Sequence, residues 1–285
     1  MNAPILLEPA PYVPFMDPRT AGPPGLSPLD MSEWTVRHED FDAQMAYRAR
    51  LIAEHTETVL AARSEGEDPA IELLEMLKAH LGLSSDLTLK ERFCPLTAMC
   101  HLVAEDFCLM TKAEGADEYL LSAAILCFPS RWSLAEKLGR PMTHIHEPVP
   151  YYDESIARRV NRVFDALHPD RPVVRCNWLL HTDPELFMPI GREGDQPRIA
   201  RTDPDGGPIY LRTERQTLVR LPRTGAIAFG IKSSVTPVEA LPPDELAGLA
   251  KAYGAHVEQD RADGNSEQDR EIIAARLVEM AGQQA

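Results

Sequence analysis

The sequence has no C-x-x-C pair among its five cysteines, no Walker loop, no G-x-G-x-x-G segment and no surplus of basic residues. Each absence removes a class of function. Without a glycine loop to cradle phosphates at a helix start, a nucleotide-dependent reaction run by this chain alone has no support. The 29 Lys and Arg against 44 Asp and Glu give a formal net charge of -15, the wrong sign for a phosphate backbone, so no nucleic-acid partner is expected. No apolar run approaches the length of a membrane span, so no membrane partner is expected either. The opening residues MNAPILLEPAPYVPF lack a basic segment and a sustained apolar stretch, and do not read as a secretory signal. Cys94, Cys100, Cys108, Cys127 and Cys176 are an odd set, so reduced thiols in a cytoplasm are the expectation. The spacing of Cys94, Cys100, His101 and Cys108 fits no zinc or iron–sulfur pattern and reads as core packing.

What is present is a hydrophobic content of 44%, enough for a real core. Residues 1–38 are a proline-rich arm, expected to lie on the surface rather than in the core. Two helices follow within 39–89. The first spans 39–63, and the second opens at Asp68-Pro69 and stops at Gly82. Residues 95–112 read as a further helix, and Tyr119 to Phe128 as a buried strand. Ser133 and Glu136 resemble a capping box, and 153–167 an amphipathic helix. The character then turns to β: Val173–Leu180, Ile209–Val219 and Ala226–Ile231 are short β-type runs, the last two joined by LPRTG as an antiparallel hairpin. Residues 243–258 and 266–282 read as helices. The plan is α+β: helices, a modest antiparallel sheet, then a helical extension over 242–285.

Three constellations carry chemistry. His144 and His146 stand one residue apart, beside Pro148 and Pro150, with Glu147, Tyr151 and Tyr152 close by. Imidazole binds haem iron and first-row metals, and prolines would hold such a ligand in place. In an extended segment the two rings point to opposite sides, which disfavours a chelate by both. Ordinary half-buried histidines are the alternative. The second constellation is the run from Arg212 to Thr217, where alternation sends Arg212, Glu214 and Gln216 to one face and Thr213, Arg215 and Thr217 to the other. Such a strand is commonly a solvated face with ion pairs. If one face lines a cavity instead, Glu214 can move protons or bind a cation. The third is the strand carrying Arg175, Cys176, Asn177 and Trp178, where alternation pairs Arg175 with Asn177 and Cys176 with Trp178.

Four blocks, FPSRWSLAEKLG, IHEPVPYY, RCNWLLHTDPELF and LRTERQTLVRLPRTGAIAFGIKSSVTPV, preceded by the EDF at 105–107, together resemble the haem-dependent oxidative N-demethylase-like family. The resemblance runs from Glu105 to about Leu241, roughly half the chain. It implies a PAS-like antiparallel sheet with flanking helices, holding haem b within residues 90–241. The implied activity belongs to the haem subunit of a dimethylamine mono-oxygenase. Dioxygen is activated and a small secondary amine is oxidatively demethylated with release of formaldehyde. Electrons come from NADPH through separate flavin and iron–sulfur reductase subunits. Carried onto this sequence, the resemblance makes His146 the axial iron ligand, with His144 second. Glu214 becomes the polar group facing amine or oxygen, Arg175 or Arg215 the partner of a haem propionate, and Trp178 a wall of the pocket. The same scaffold would also serve a haem or gas sensor without turnover, or a cofactor-free binding module.

Overall fold

Among the described residues, seven strands pair antiparallel in one sheet: β1 (Ser27–Pro28), β2 (Leu60–Ala62), β3 (Asp106–Thr111), β4 (Leu120–Ile125), β5 (Val173–His181), β6 (Tyr210–Arg220) and β7 (Ile227–Pro237). Their spatial order is β1-β5-β6-β7-β3-β4-β2. Around them lie α1 (Phe41–Val59), α2 (Glu67–His80), α3 (Leu89–Phe93), α4 (Pro95–Cys100), α5 (Leu134–Lys137), α6 (Met142–Ile145), α7 (Glu154–Ala166), α8 (Pro243–Ala262) and α9 (Gln268–Gln284). The computed structural model describes residues 3–21, 25–145, 154–189, 207–262 and 268–284. The architecture is α+β, an antiparallel sheet flanked by helices. Among the described residues no helix is long and apolar enough to cross a membrane.

The expected hairpin is the backbone of the sheet. β6 and β7 pair from Tyr210↔Pro237 to Arg220↔Ile227. Their turn closes with Leu221 N–H donating to the Ala226 carbonyl at 2.8 Å. Gly225 sits there at φ +72, a left-handed conformation that costs glycine little. From α2, the Glu72 carboxylate accepts the N–H groups of Arg223 and Thr224 at 2.6 and 2.8 Å, tying the turn to the helical layer.

Four expectations need correction. Residues 95–112 are not one helix: α4 ends at Cys100 and β3 begins at Asp106. β3 is buried on both faces, so its apolar run carries no alternation to separate it from a helix. The last long strand does not stop at Ile231 but runs to Pro237. Its polar residues 232–234 are buried, with Lys232 Nζ 3.2 Å from the Asp40 carboxylate and Ser233 Oγ 3.2 Å from Arg212 Nη2. The N-terminal arm is no surface appendage either, since Leu7, Phe15, Leu29 and Trp34 are buried. Leu7 N–H donates to the Val235 carbonyl at 2.9 Å, and β1 pairs with β5. Finally, Ser133 makes no side-chain cap, whereas Thr88 and Glu91 form a full capping box over α3.

Strand alternation and register divide the sheet into two faces. The first carries Cys108, Met110, Leu218 and Ile227, and packs against Leu134 of α5, Met142 of α6 and Phe164 of α7. The second carries Phe107, Leu109, Val219 and Ala228 under α1, α2 and α4. At its other end Trp178, Leu180 and Leu211 pack against α8 and α9. Leu73, Leu74 and Leu77 of α2 are fully buried in this second layer; such burial stabilises by about 2 kcal/mol per side chain.

Candidate functional site

Beyond the apolar patch under α5, α6 and α7, the first face turns polar. The register sets Asn177 opposite Glu214, Arg175 opposite Gln216 and Glu214 opposite Ser233. Arg212, two residues before Glu214, shares this face, as does His181 at the end of β5. These are not solvated groups: Arg212 is 1% exposed, His181 3% and Glu214 9%.

Arg212 organises one end. Its Nη2 donates to the Phe128 carbonyl at 2.6 Å, its Nη1 to the Leu186 carbonyl at 3.2 Å, and its Nε lies 3.4 Å from Glu214 Oε1. The other oxygen of Glu214 accepts from Gln216 Nε2 at 3.1 Å. Burial makes the Arg212 charge costly and pulls its pKa down, while Glu214 and Asp106 act against that. Arg175 is likewise lowered, by burial first, with the Glu214 carboxylate acting against that. Its Nε has no hydrogen-bond partner among the described residues.

His181 extends the cluster. Arg131 Nη2 lies 3.4 Å from its Nδ1. A guanidinium only donates, so Nδ1 accepts and the ring proton sits on Nε2. That Nε2 is buried without a partner among the described residues. Burial, then Arg131 and Arg212, push the imidazole down to about 3, so it is neutral at physiological pH. Arg131 itself has φ +60, a strained conformation for a residue with a side chain. It is held by its N–H donating to the Met188 carbonyl at 2.9 Å.

The residues singled out from sequence divide between the two faces. Glu214 and Arg175 share the first. Arg215 lies on the second, where it donates to the carbonyls of Glu33 and Trp34 at 2.6 and 3.3 Å. Trp178 is also there, donating to the Ala21 carbonyl at 3.2 Å and stacking on His256 at 5.1 Å between ring centroids. The sheet therefore lies between both of them and Glu214. His144 is exposed in the last turn of α6. His146, with Glu147, Pro148, Pro150, Tyr151 and Tyr152, lies outside the described residues. Its neighbour Ile145 packs into the apolar layer of the first face.

Arg131, Arg212 and His181 were not singled out as site residues. Alternation along β5 already groups His181 with Arg175 and Asn177, so that signal was present in the sequence. A cleft of about 340 Å³ opens elsewhere, between Lys112, Tyr119, Arg220 and Gly225. Arg220 is consumed there by the carbonyls of Phe164, Leu167 and Gly225, which makes it a structural clamp on the end of α7. Among the described residues no three His, Cys, Asp or Glu side chains gather as metal ligands.

A family model described as haem-dependent oxidative N-demethylase, alpha subunit-like, matches residues 80–256, well over half of the chain. The matched span takes in β3 to β7 and every polar residue of the first face named above. The match suggests a haem-binding, oxidoreductase-like function, with a small-molecule substrate and partner subunits. On this match, the chain belongs to the haem-dependent oxidative N-demethylase, alpha subunit-like family.

Proposed function

We propose that this chain is the haem-binding component of an amine mono-oxygenase, one that demethylates a small secondary amine of the dimethylamine type and releases formaldehyde. The observation that carries the reading is the buried polar half of the first face, with Glu214 beside Arg212 and near Arg175, in a member of this family. A haem b is a flat apolar ring with two carboxylates. What supports such a group here is the chemistry of the side chains: an apolar layer under α5, α6 and α7 adjoins a face with three guanidinium groups, of Arg131, Arg175 and Arg212, and one carboxylate. The unmatched Arg175 Nε and His181 Nε2 are donors suited to propionate oxygens.

His146 is the residue proposed to hold the haem iron, with His144 the alternative. When bound, haem supplies the activation of dioxygen, with electrons from NADPH relayed by flavin and iron–sulfur partner subunits. Glu214 offers a carboxylate to the substrate ammonium and takes up its proton. Arg212 and Gln216 fix its orientation, leaving little reorganisation for substrate binding. In this proposal residues 90–241 are a PAS-like haem-binding unit, 1–38 and 39–89 its N-terminal arm and helices, and 242–285 its helical extension. The setting proposed is the cytoplasm.

The test is formaldehyde release from dimethylamine by the haem-loaded chain, with reductase, NADPH and oxygen supplied. Stoichiometric formaldehyde supports the proposal. A Soret band without formaldehyde from any small secondary amine points instead to a haem or gas sensor, and the absence of a Soret band to a cofactor-free binding module.

A further inference from the structure

Away from the polar face, the sulfurs of Cys100 and Cys127 lie 3.6 Å apart in the core layer of α1, α2 and α4. Cys100 ends α4, and Cys127 follows β4. We propose that this pair is a modification site, closing to a disulfide when a peroxide reaches it. The proposal is independent of the haem reading.

Three features of the site favour the reaction. A disulfide needs sulfurs about 2.05 Å apart, so the pair must approach by about 1.5 Å, a movement on the scale of a side-chain adjustment. Cys127 is anchored: its N–H donates to Asp106 Oδ1 at 2.8 Å, and the next N–H, of Phe128, to Oδ2 at 2.7 Å. Cys100 sits on a six-residue helix and is the partner able to shift. The third feature is Arg48, fully buried beside the pair and ion-paired to Asp106. Burial opposes ionisation of Cys100, but the Cys127 sulfur and the Arg48 guanidinium outweigh it and draw the thiol below its ordinary value. The hydrogen bond its S–H donates to Cys100, and burial, hold Cys127 up. The two thiols are thus unequal, as an attacking and a resolving cysteine must be. Cys108 and Cys176 differ from Cys100, each pushed up to about 12, chiefly by burial.

The chemistry balances. Cys100 thiolate attacks one peroxide oxygen, the O–O bond breaks, and the departing hydroxide takes a proton to leave as water. The sulfenic acid on Cys100 is then attacked by the Cys127 sulfur, which gives up its proton. The S–O bond breaks and a second water leaves. Two thiols lose two electrons in all, and one hydrogen peroxide is reduced to two waters.

The experiment treats the full chain, in a Cys94→Ser background that removes the exposed thiol, with hydrogen peroxide and reads intact mass and alkylation. The expected result is a loss of two hydrogen atoms, a cross-linked peptide joining residues 100 and 127, and recovery of both thiols on dithiothreitol. Cys100→Ser and Cys127→Ser should each abolish the cross-link. If either variant fails to fold, peptide mapping of the parent protein decides alone. Gain of two or three oxygens on Cys100 without a cross-link overturns the proposal. So does full alkylation of both thiols, after unfolding, in peroxide-treated protein.

Discussion

The Nε of Arg212 lies 3.4 Å from Oε1 of Glu214, two residues along the same strand, on a face where neither group meets solvent freely. Arg212 also donates to the carbonyls of Phe128 and Leu186, so one guanidinium serves a carboxylate and two loops. Replacing it with Met strips a counter-charge from a buried carboxylate and orphans both carbonyls. The expected loss is about 3–5 kcal/mol of folding stability, read from urea unfolding. Glu214→Gln, which keeps shape and removes charge, should cost less. A loss below about 1 kcal/mol in Arg212→Met would mean the face relaxes into water.

Arg175 and Arg215 sit on opposite faces and should fail differently. Arg215→Gln removes donors from the Glu33 and Trp34 carbonyls. It should lower stability by about 1–3 kcal/mol and leave haem affinity unchanged. Arg175→Gln should weaken haem binding by about tenfold, equivalent to about 1.4 kcal/mol, with little change in stability. Paired haem titration and urea unfolding of the two variants check this, and weakened haem binding in Arg215→Gln alone would reverse the assignment.

His181 predicts a pH dependence. Its folded pKa is pushed to about 3 from the ordinary 6.5, chiefly by burial. Below pH 6.5 the unfolded chain takes up a proton that the folded chain refuses, so stability is complete above that pH and falls as pH drops toward 3. The slope from this one group approaches about 1.4 kcal/mol per pH unit. His38, His80 and His256 are also lowered, first by burial, and add to the measured slope. Only the difference between wild type and His181→Gln isolates His181. The variant's stability between pH 6 and 5 should fall less steeply, by about one proton, and parallel curves would show that the imidazole charges freely in the fold.

The β half of the fold was legible because β5, β6 and the start of β7 are rich in β-branched and aromatic residues and bounded by turn residues. β3 was not, since burial on both faces erased its alternation. Within the site, alternation correctly separated Arg212 and Glu214 from Arg215, but period alone does not say which neighbouring strand's residues join each set. Register does: Cys176 faces Arg215 and Asn177 faces Glu214, which sends Trp178 away from the polar group and brings Arg175 to it. Arg131 carried no signal in sequence, because its place beside His181 goes with long-range contacts, among them its N–H bond to the Met188 carbonyl.

The most direct measurement is a haem titration of the full chain followed at the Soret band, wild type beside His146→Ala and His144→Ala. One haem per chain is expected in wild type and in His144→Ala, with stoichiometric binding abolished in His146→Ala. Full occupancy in His146→Ala would move the iron ligand elsewhere, and no Soret band in wild type would remove haem from this chain altogether.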